Sequence, residues 1–282
     1  MEHANPFSVI LLLLLGGMVI FFIGRAKNGR EIAIRRIAGI DAIDEAIGRA
    51  VELGRPISFT SGLTGVNSLL YACLGVLRYI ARKAARLNSR LFVPCSDAEA
   101  LVLTDATLQN AYRTEKKFSN YEPSRLRFLS DEQFAFSSGY MGLVHRENVG
   151  SAFLIGRFAA ESLILAEAGL QIGAVQVAAT TSPEQVPFFI TACDYTLIGE
   201  ELYAAGAYLS RDPVQTGSLK AQDYGKALFL ALIVLGTIQA TYYSISEHDS
   251  PIPLKSWMQA SWEEIGSGCN SAWCASLFGK KI

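Results

Sequence analysis

Hydrophobic positions fall along the chain in two ways: two runs carry almost no charge, and the stretch between them switches between helical and strand periods. The first run, residues 7–24 (FSVILLLLLGGMVIFFIG), has no charged residue and then meets Arg25, Lys27 and Arg30. About 18 uncharged residues is the lower working length for a helix that crosses a bilayer. A cleaved secretory signal would want positive charge before the apolar run and a small-residue cleavage site after it. Here Glu2 and His3 precede the run and basic residues follow it, which is the order of a retained anchor. The second run, residues 227–243 (ALFLALIVLGTIQATYY), has Gln239 as its strongly polar side chain and sits near the ~17-residue floor for a span. A buried core helix competes with a span there, and Tyr242 and Tyr243 fit an interfacial aromatic belt. A third run, residues 63–80, contains Asn67 and Arg78 and reads as the core helix of a water-soluble domain.

Between the spans the period changes repeatedly. Ile43, Ala46, Ile47, Ala50 and Val51 have helical spacing behind Asp41, and Gly54 ends that helix. Residues 56–60 (PISFT) form an expected strand, followed by Ser61-Gly62 and a helix to about Leu87. Residues 90–94 are a second strand, and Ser96 or Asp97 caps a helix to about Lys117. Residues 125–129 read as a third strand, 151–169 as one apolar helix, 173–179 and 187–192 as β-rich runs, and 195–209 as a final helix. Strands alternating with helices predict βαβ units in an α/β fold: a doubly wound, mostly parallel, Rossmann-like sheet between two transmembrane helices. The expected layout is an external N-terminus (1–6), a first span (7–24), the α/β domain (25–210), a linker (211–225), a second span (226–243) and an external tail (244–282).

Charge adds orientation and removes some functions. The 282 residues are half apolar and 18% charged, which excludes a disordered chain, and the mean hydropathy of +0.26 is above that of an ordinary soluble domain. Lys plus Arg is 25 and Asp plus Glu 26, a net charge of -1 that makes no global electrostatic case for nucleic acid. Arg25, Lys27, Arg30, Arg35 and Arg36 crowd one flank of the first run, and Lys220 and Lys226 precede the second. The positive-inside rule then puts residues 25–226 in the cytoplasm and both termini outside. Basic residues near the surface also attract anionic headgroups, at about 1 kcal/mol each.

Candidate chemistry follows the strand ends, because open α/β sheets bind ligands beyond the carboxyl ends of their strands. Polar residues gather there: Thr60, Ser61, Gly62, Thr64 and Gly65 after the first strand, Cys95, Ser96 and Asp97 after the second, Ser130 and Asp131 after the third, and Thr180, Thr181 and Ser182 after a fourth. The segment TSGLTGVNS would point N–H groups at an anion from a helix N-terminus. It matches neither the dinucleotide nor the P-loop glycine pattern, so no cofactor is identified, and helix capping accounts for the same residue types. Cys95, placed before a helix N-terminus, is a site for a lowered thiol pKa without a His base in sequence. His145 is expected in a loop, and one His without a Cys or carboxylate pattern makes no metal site. Asp97, Glu99 and Asp105 read as a solvated acidic face.

The external tail holds Trp257, Trp262 and Trp273, and LKSWMQASWEEIGSG has the pattern of a short amphipathic helix for the outer membrane face or a partner. Cys269 and Cys274 there are compatible with a local disulfide and equally with two thiols, since spacing alone does not set the Cα separation. Gly16, Gly17 and Gly236 permit close helix approach within the membrane, or are simply the glycines common in such helices.

Residues 34–63 (IRRIAGIDAIDEAIGRAVELGRPISFTSGL) resemble the opening of an uncharacterised prokaryotic family of membrane-anchored proteins. The resemblance rests on a basic flank, a helix, GRP, a strand and a Gly-containing turn. It implies a positively flanked helix leading into a Rossmann-like domain of unknown function, and no catalytic residues. Three functions stay open. The leading one is a structural or assembly subunit in the lipid bilayer, contacting other protein subunits or itself. A small-molecule binding or sensor domain for a nucleotide or other anion is the second, and a Rossmann-type enzyme with a non-standard ligand loop is the third.

Overall fold

The computed structural model describes residues 6–27, 38–210 and 213–245. Arg30, Arg35, Arg36 and the tail with its tryptophans, Cys269 and Cys274 lie outside the described residues. The chain divides into two compact units, residues 33–216 and the flanking segments 1–32 with 217–282.

The flanking unit contains α1 (Pro6–Lys27), which covers the first apolar run. At 1.5 Å per residue its 22 residues extend about 33 Å, against a hydrocarbon core of roughly 30 Å. The other unit follows in chain order with α2 (Ala38–Glu52), β1 (Ile57–Gly62), α3 (Ser68–Arg86), β2 (Leu91–Cys95) and α4 (Ala98–Thr114). Two 3₁₀ turns, Phe118–Asn120 and Pro123–Arg125, lead to β3 (Leu126–Phe128), then α5 (Gln133–Glu147) and β4 (Ser151–Arg157). After these come α6 (Ser162–Gln171), β5 (Val175–Thr180), α7 (Val186–Ala192), β6 (Tyr195–Ile198) and α8 (Glu201–Ser210). The last helix, α9 (Pro213–Ile245), carries the second apolar run. Both α1 and α9 are long and apolar enough to cross a membrane. Within the flanking unit they touch through the Phe22 and Tyr224 rings, stacked 5.0 Å apart. Gly217 lies where a Cβ would meet Ile23 Cα at 2.7 Å, so α1 and α9 approach at Gly217, while Gly16 and Gly17 have nothing within 4 Å.

All six strands are parallel, in the order β3-β2-β1-β4-β5-β6. This is the doubly wound, Rossmann-like arrangement, in which the strand order reverses between β1 and β4. Alternation along each strand feeds two cores. Ile57, Phe59, Val93, Phe153, Ile155 and Val177 point to the face covered by α2, α3, α4 and α8. Phe92, Leu154 and Ala178 point to the face covered by α5, α6 and α7. On the first face α3 and α8 cross closely because Gly75 and Gly206 meet, with no side chain between the backbones.

Four expected elements are corrected. Residues 151–169 are β4 and then α6, because AFLI is a strand buried on both faces and the chain turns at residues 158–161. An apolar run has no period that separates a buried strand from a buried helix. Residues 187–192 form α7, with Pro187 in its first turn, where the missing N–H costs nothing. Residues 195–198 are β6, and the helix begins only at Glu201. Residues 213–225, expected as a linker, are the first turns of α9. His145 lies in the last turn of α5 and not in a loop, and α5 itself was hidden by Gly139, Gly142 and its serines.

Candidate functional site

Because every strand runs the same way, each following helix starts at one edge of the sheet, the carboxyl edge, and ends at the other. At the carboxyl edge β1 and β4 stay paired across a bulge as far as Gly62 and Arg157, and most of the sequence-predicted residues meet there. Thr60 Oγ1 donates to Pro94 O at 3.0 Å and accepts from Gly62 N at 3.1 Å. Thr64 Oγ1 donates to Ser61 O at 2.5 Å and accepts from Arg157 N at 2.7 Å. Ser96 Oγ donates to Gly62 O at 2.5 Å, and Leu63 N donates to Arg157 O at 2.9 Å. These buried hydroxyls therefore tie the loops after β1, β2 and β4 to one another. The glycines serve the same closure. Gly62 has φ +60, and a Cβ on it would meet Arg157 O and the Phe158 ring at 2.5 Å. A Cβ on Gly156 would overlap Ser61 O and Thr64 Oγ1.

Two helix N-termini at this edge, those of α3 and α4, have side-chain caps. Asn67 Oδ1 accepts from Leu70 N at 3.0 Å at the start of α3, and Asp97 Oδ1 accepts from Glu99 N at 2.8 Å at the start of α4. Asp97 Oδ2 lies 3.2 Å from where a Gly65 Cβ would be. A carboxylate beside the β1–α3 turn opposes a second anion there by like-charge repulsion. Ser130 sits one loop further out and accepts from Glu132 N at 3.1 Å, while Asp131 is exposed beside it. Thr180 Oγ1 accepts from Ser182 N at 3.2 Å, closing the turn after β5. Asp105 accepts from Gln109 Nε2 at 2.9 Å and from the Tyr121 hydroxyl.

One group at this edge was not legible in sequence. Glu161 is fully buried ahead of α6, where Oε1 accepts from Ala159 N at 3.0 Å and Oε2 from Gln133 Nε2 at 2.7 Å. Ser162 Oγ donates to Gln185 Oε1 at 2.6 Å, so α5, α6 and the loop before α7 share a polar seam. The only signal was the Glu-Ser pair interrupting an apolar run at 161–162.

The cysteine chemistry runs opposite to the expectation. Cys95 is buried at the end of β2, and burial pushes its thiol up to about 12, not down. Burial likewise raises Cys73 and Cys193 to about 12, so all three are neutral thiols at ordinary pH. Among the described residues no three His, Cys, Asp or Glu side chains gather to hold a metal ion.

A family model described as a domain of unknown function, DUF6754, matches residues 2–250. The chain belongs to the DUF6754 family. No curated protein and no solved structure matches it. The DUF6754 match takes in α1, the whole α/β unit and α9 together.

The carboxyl edge of this DUF6754 member also exposes large apolar side chains. Helices α5, α6 and α7 lie side by side, and each shows one in its first turn: Phe134 (61% exposed), Leu163 and Phe188. Phe128 at the end of β3 and Ile198 at the end of β6 extend the rim. First turns of surface helices are ordinarily polar, and clustered apolar exposure marks interaction sites. Exposed acids are interspersed: Asp131 and Glu132 precede Phe134, and Glu184 precedes Phe188.

Proposed function

We propose that this chain is a membrane-anchored assembly subunit whose α/β unit holds another protein chain on its carboxyl edge. The observation that carries the reading is the row of Phe134, Leu163 and Phe188 in the first turns of three neighbouring helices. Burying one such side chain contributes about 1.5–3 kcal/mol, enough for a small set to anchor an interface. The interspersed Asp131, Glu132 and Glu184 favour a partner with basic groups around an apolar centre and disfavour anionic lipid. Nucleotide or other anion binding, the second reading, is favoured by the strand-order reversal between β1 and β4. Asp97 beside Gly65 and the engaged hydroxyls of Thr60, Thr64 and Ser96 weigh against it.

A photo-crosslinking side chain in place of Phe134, in cells, tests the assembly reading. The expected product is a covalent adduct with a polypeptide of defined mass. Its yield drops by about tenfold or more when Leu163→Ser and Phe188→Ser are added, as for interface anchors. Adducts to lipid alone, or a yield indifferent to those substitutions, would sink it. Both serine changes fall on exposed positions and leave the core intact.

The anchoring reading is supported by two apolar helices, basic residues flanking the first, and a family match that begins ahead of α1. It places the α/β unit in the cytoplasm with both termini outside. Cys73 and Cys95 are too buried to report this, so the probe is Ser138→Cys on the exposed face of α5. An impermeant thiol reagent is expected to label it only after the cells are opened. Labelling in intact cells would reverse the orientation.

A further inference from the structure

The amino edge of the sheet holds a cleft that the carboxyl-edge reading does not use. It has a volume of about 220 Å³ and lies between the end of α3, the start of β2 and the turns that lead into β3. Asn88, Ser89 and Arg90 form one wall, and Tyr112, Asn120, Arg125 and the Glu122 carboxylate paired with Arg125 line the other side. We infer that this cleft binds a small oxyanion, a phosphate or carboxylate group, between Arg90 and Arg125.

The neighbouring charges single these two out. Arg82 and Arg86 both donate to Glu115, each with Nε at 2.5 Å from a carboxylate oxygen, and Lys83 pairs with Asp44 at 3.2 Å. Arg90 is exposed, and among the described residues no carboxylate is within ion-pair distance of it. Arg125 is the reverse case: its side chain is only 18% exposed, yet its one ion pair is a single contact, Nη2 to Glu122 Oε1 at 2.8 Å. A guanidinium carries five N–H donors, more than this one ion pair engages. Tyr112, whose hydroxyl pKa is raised by burial, lowered in part by Arg125 and raised by Glu122, puts both of those charges beside the cleft wall.

Polar donors complete the site. Lys117 Nζ and Asn120 Nδ2 both approach Asn88 Oδ1, at 3.4 and 3.0 Å, which leaves the Asn88 amide N–H groups as donors. Helix C-termini would oppose an anion, but several carbonyls in the last turns of α3 and α4 are occupied. Ser89 N donates to Ala84 O at 2.9 Å and Lys117 N to Tyr112 O at 3.0 Å. The volume is below the roughly 300–1,000 Å³ of sites for drug-sized ligands, so a single oxyanion group on a small molecule fits and a dinucleotide does not.

The full chain in detergent micelles is the test, with thermal unfolding followed in phosphate, succinate and chloride at equal ionic strength. Phosphate, succinate or both are expected to raise the Tm saturably, by about 2–4 °C at high occupancy, with chloride as baseline. Which of the two acts distinguishes a phosphoryl from a carboxylate ligand. Arg90→Gln, at an exposed position that leaves the fold intact, is expected to remove most of the rise, and Arg125→Gln all of it. A rise of equal size in the Arg90→Gln protein, or no saturable rise in the natural sequence, overturns the inference. The outcome is independent of the crosslinking result at the carboxyl edge.

Discussion

The two edges of one sheet solve opposite problems. At the carboxyl edge, hydroxyls and glycines lock three loops together, and the exposed side chains include Phe134, Leu163 and Phe188, the acids Asp131, Glu132 and Glu184, and Arg157 at the end of β4. At the amino edge, helix ends close on their own backbone, and Arg49, Arg86, Arg113 and Arg146 lie in last turns, with Arg86 paired to Glu115 and Glu52 and Glu122 exposed among them. Aligned helices favour the acids in first turns and the arginines in last turns, since acids suit helix N-termini and bases helix C-termini. The lesson is that a Rossmann-like strand order does not by itself make a crevice. Gly156 lets the β4 loop lie against Ser61 and Thr64, close to where ligands sit in such sheets.

The largest expected effect tests that closure. Gly156→Ala puts a methyl group into Ser61 O and Thr64 Oγ1, and the neighbours are backbone and a hydroxyl already committed to Arg157 N. Overpacking of this kind costs about 1–3 kcal/mol, and loss of the Thr64 hydrogen bonds adds about 1 kcal/mol each. A destabilisation of about 3 kcal/mol or more is expected in denaturant unfolding. If Gly156→Ala unfolds like the natural chain, the loops are not locked and the crevice reading of the carboxyl edge gains ground.

How far the sequence foretold each edge follows from what kind of signal it carries. The α/β class and the strands β1, β2 and β5 were legible because apolar β-rich runs alternate with helical spacing and capped starts, as at Asp97. The second half was misread where apolar content hides the period: 151–169 is a strand and a helix, and 187–192 is a helix despite its β-branched and aromatic residues. Tertiary packing decides those segments, as with Phe189 buried against Phe158 with ring centroids 5.1 Å apart. Thr60, Ser61, Gly62, Thr64, Ser96 and Asp97 were correctly placed near one another by topology. That their hydroxyls bond to Pro94, Ser61 and Gly62 backbone could not be read from residue type, since a capping serine and a ligand-binding serine look alike. Glu161 is announced only by the Glu-Ser pair that interrupts an apolar run, and the Arg90–Arg125 cleft joins segments apart in sequence, which no local pattern announces.

The smallest effect probes the amino edge, where substitution should be benign or better. Lys116 has φ +56 at the end of α4, a left-handed conformation that closes the helix through Lys117 N to Tyr112 O. A side chain in that conformation costs about 1–2 kcal/mol, which glycine avoids. Glycine also has more freedom to lose on folding, and that takes back about 0.5–1 kcal/mol. The difference favours Lys116→Gly by about 0.5–1 kcal/mol, a rise in Tm of about 1–4 °C for a unit of this size. Asn148, at φ +50 at the end of α5, should gain less from the same change, because asparagine tolerates this conformation better than lysine. A Lys116→Gly protein less stable than the natural chain would mean that the lysine makes up its strain through a surface contact. The amino edge would then be as tightly specified as the carboxyl edge, and the contrast between them would fail.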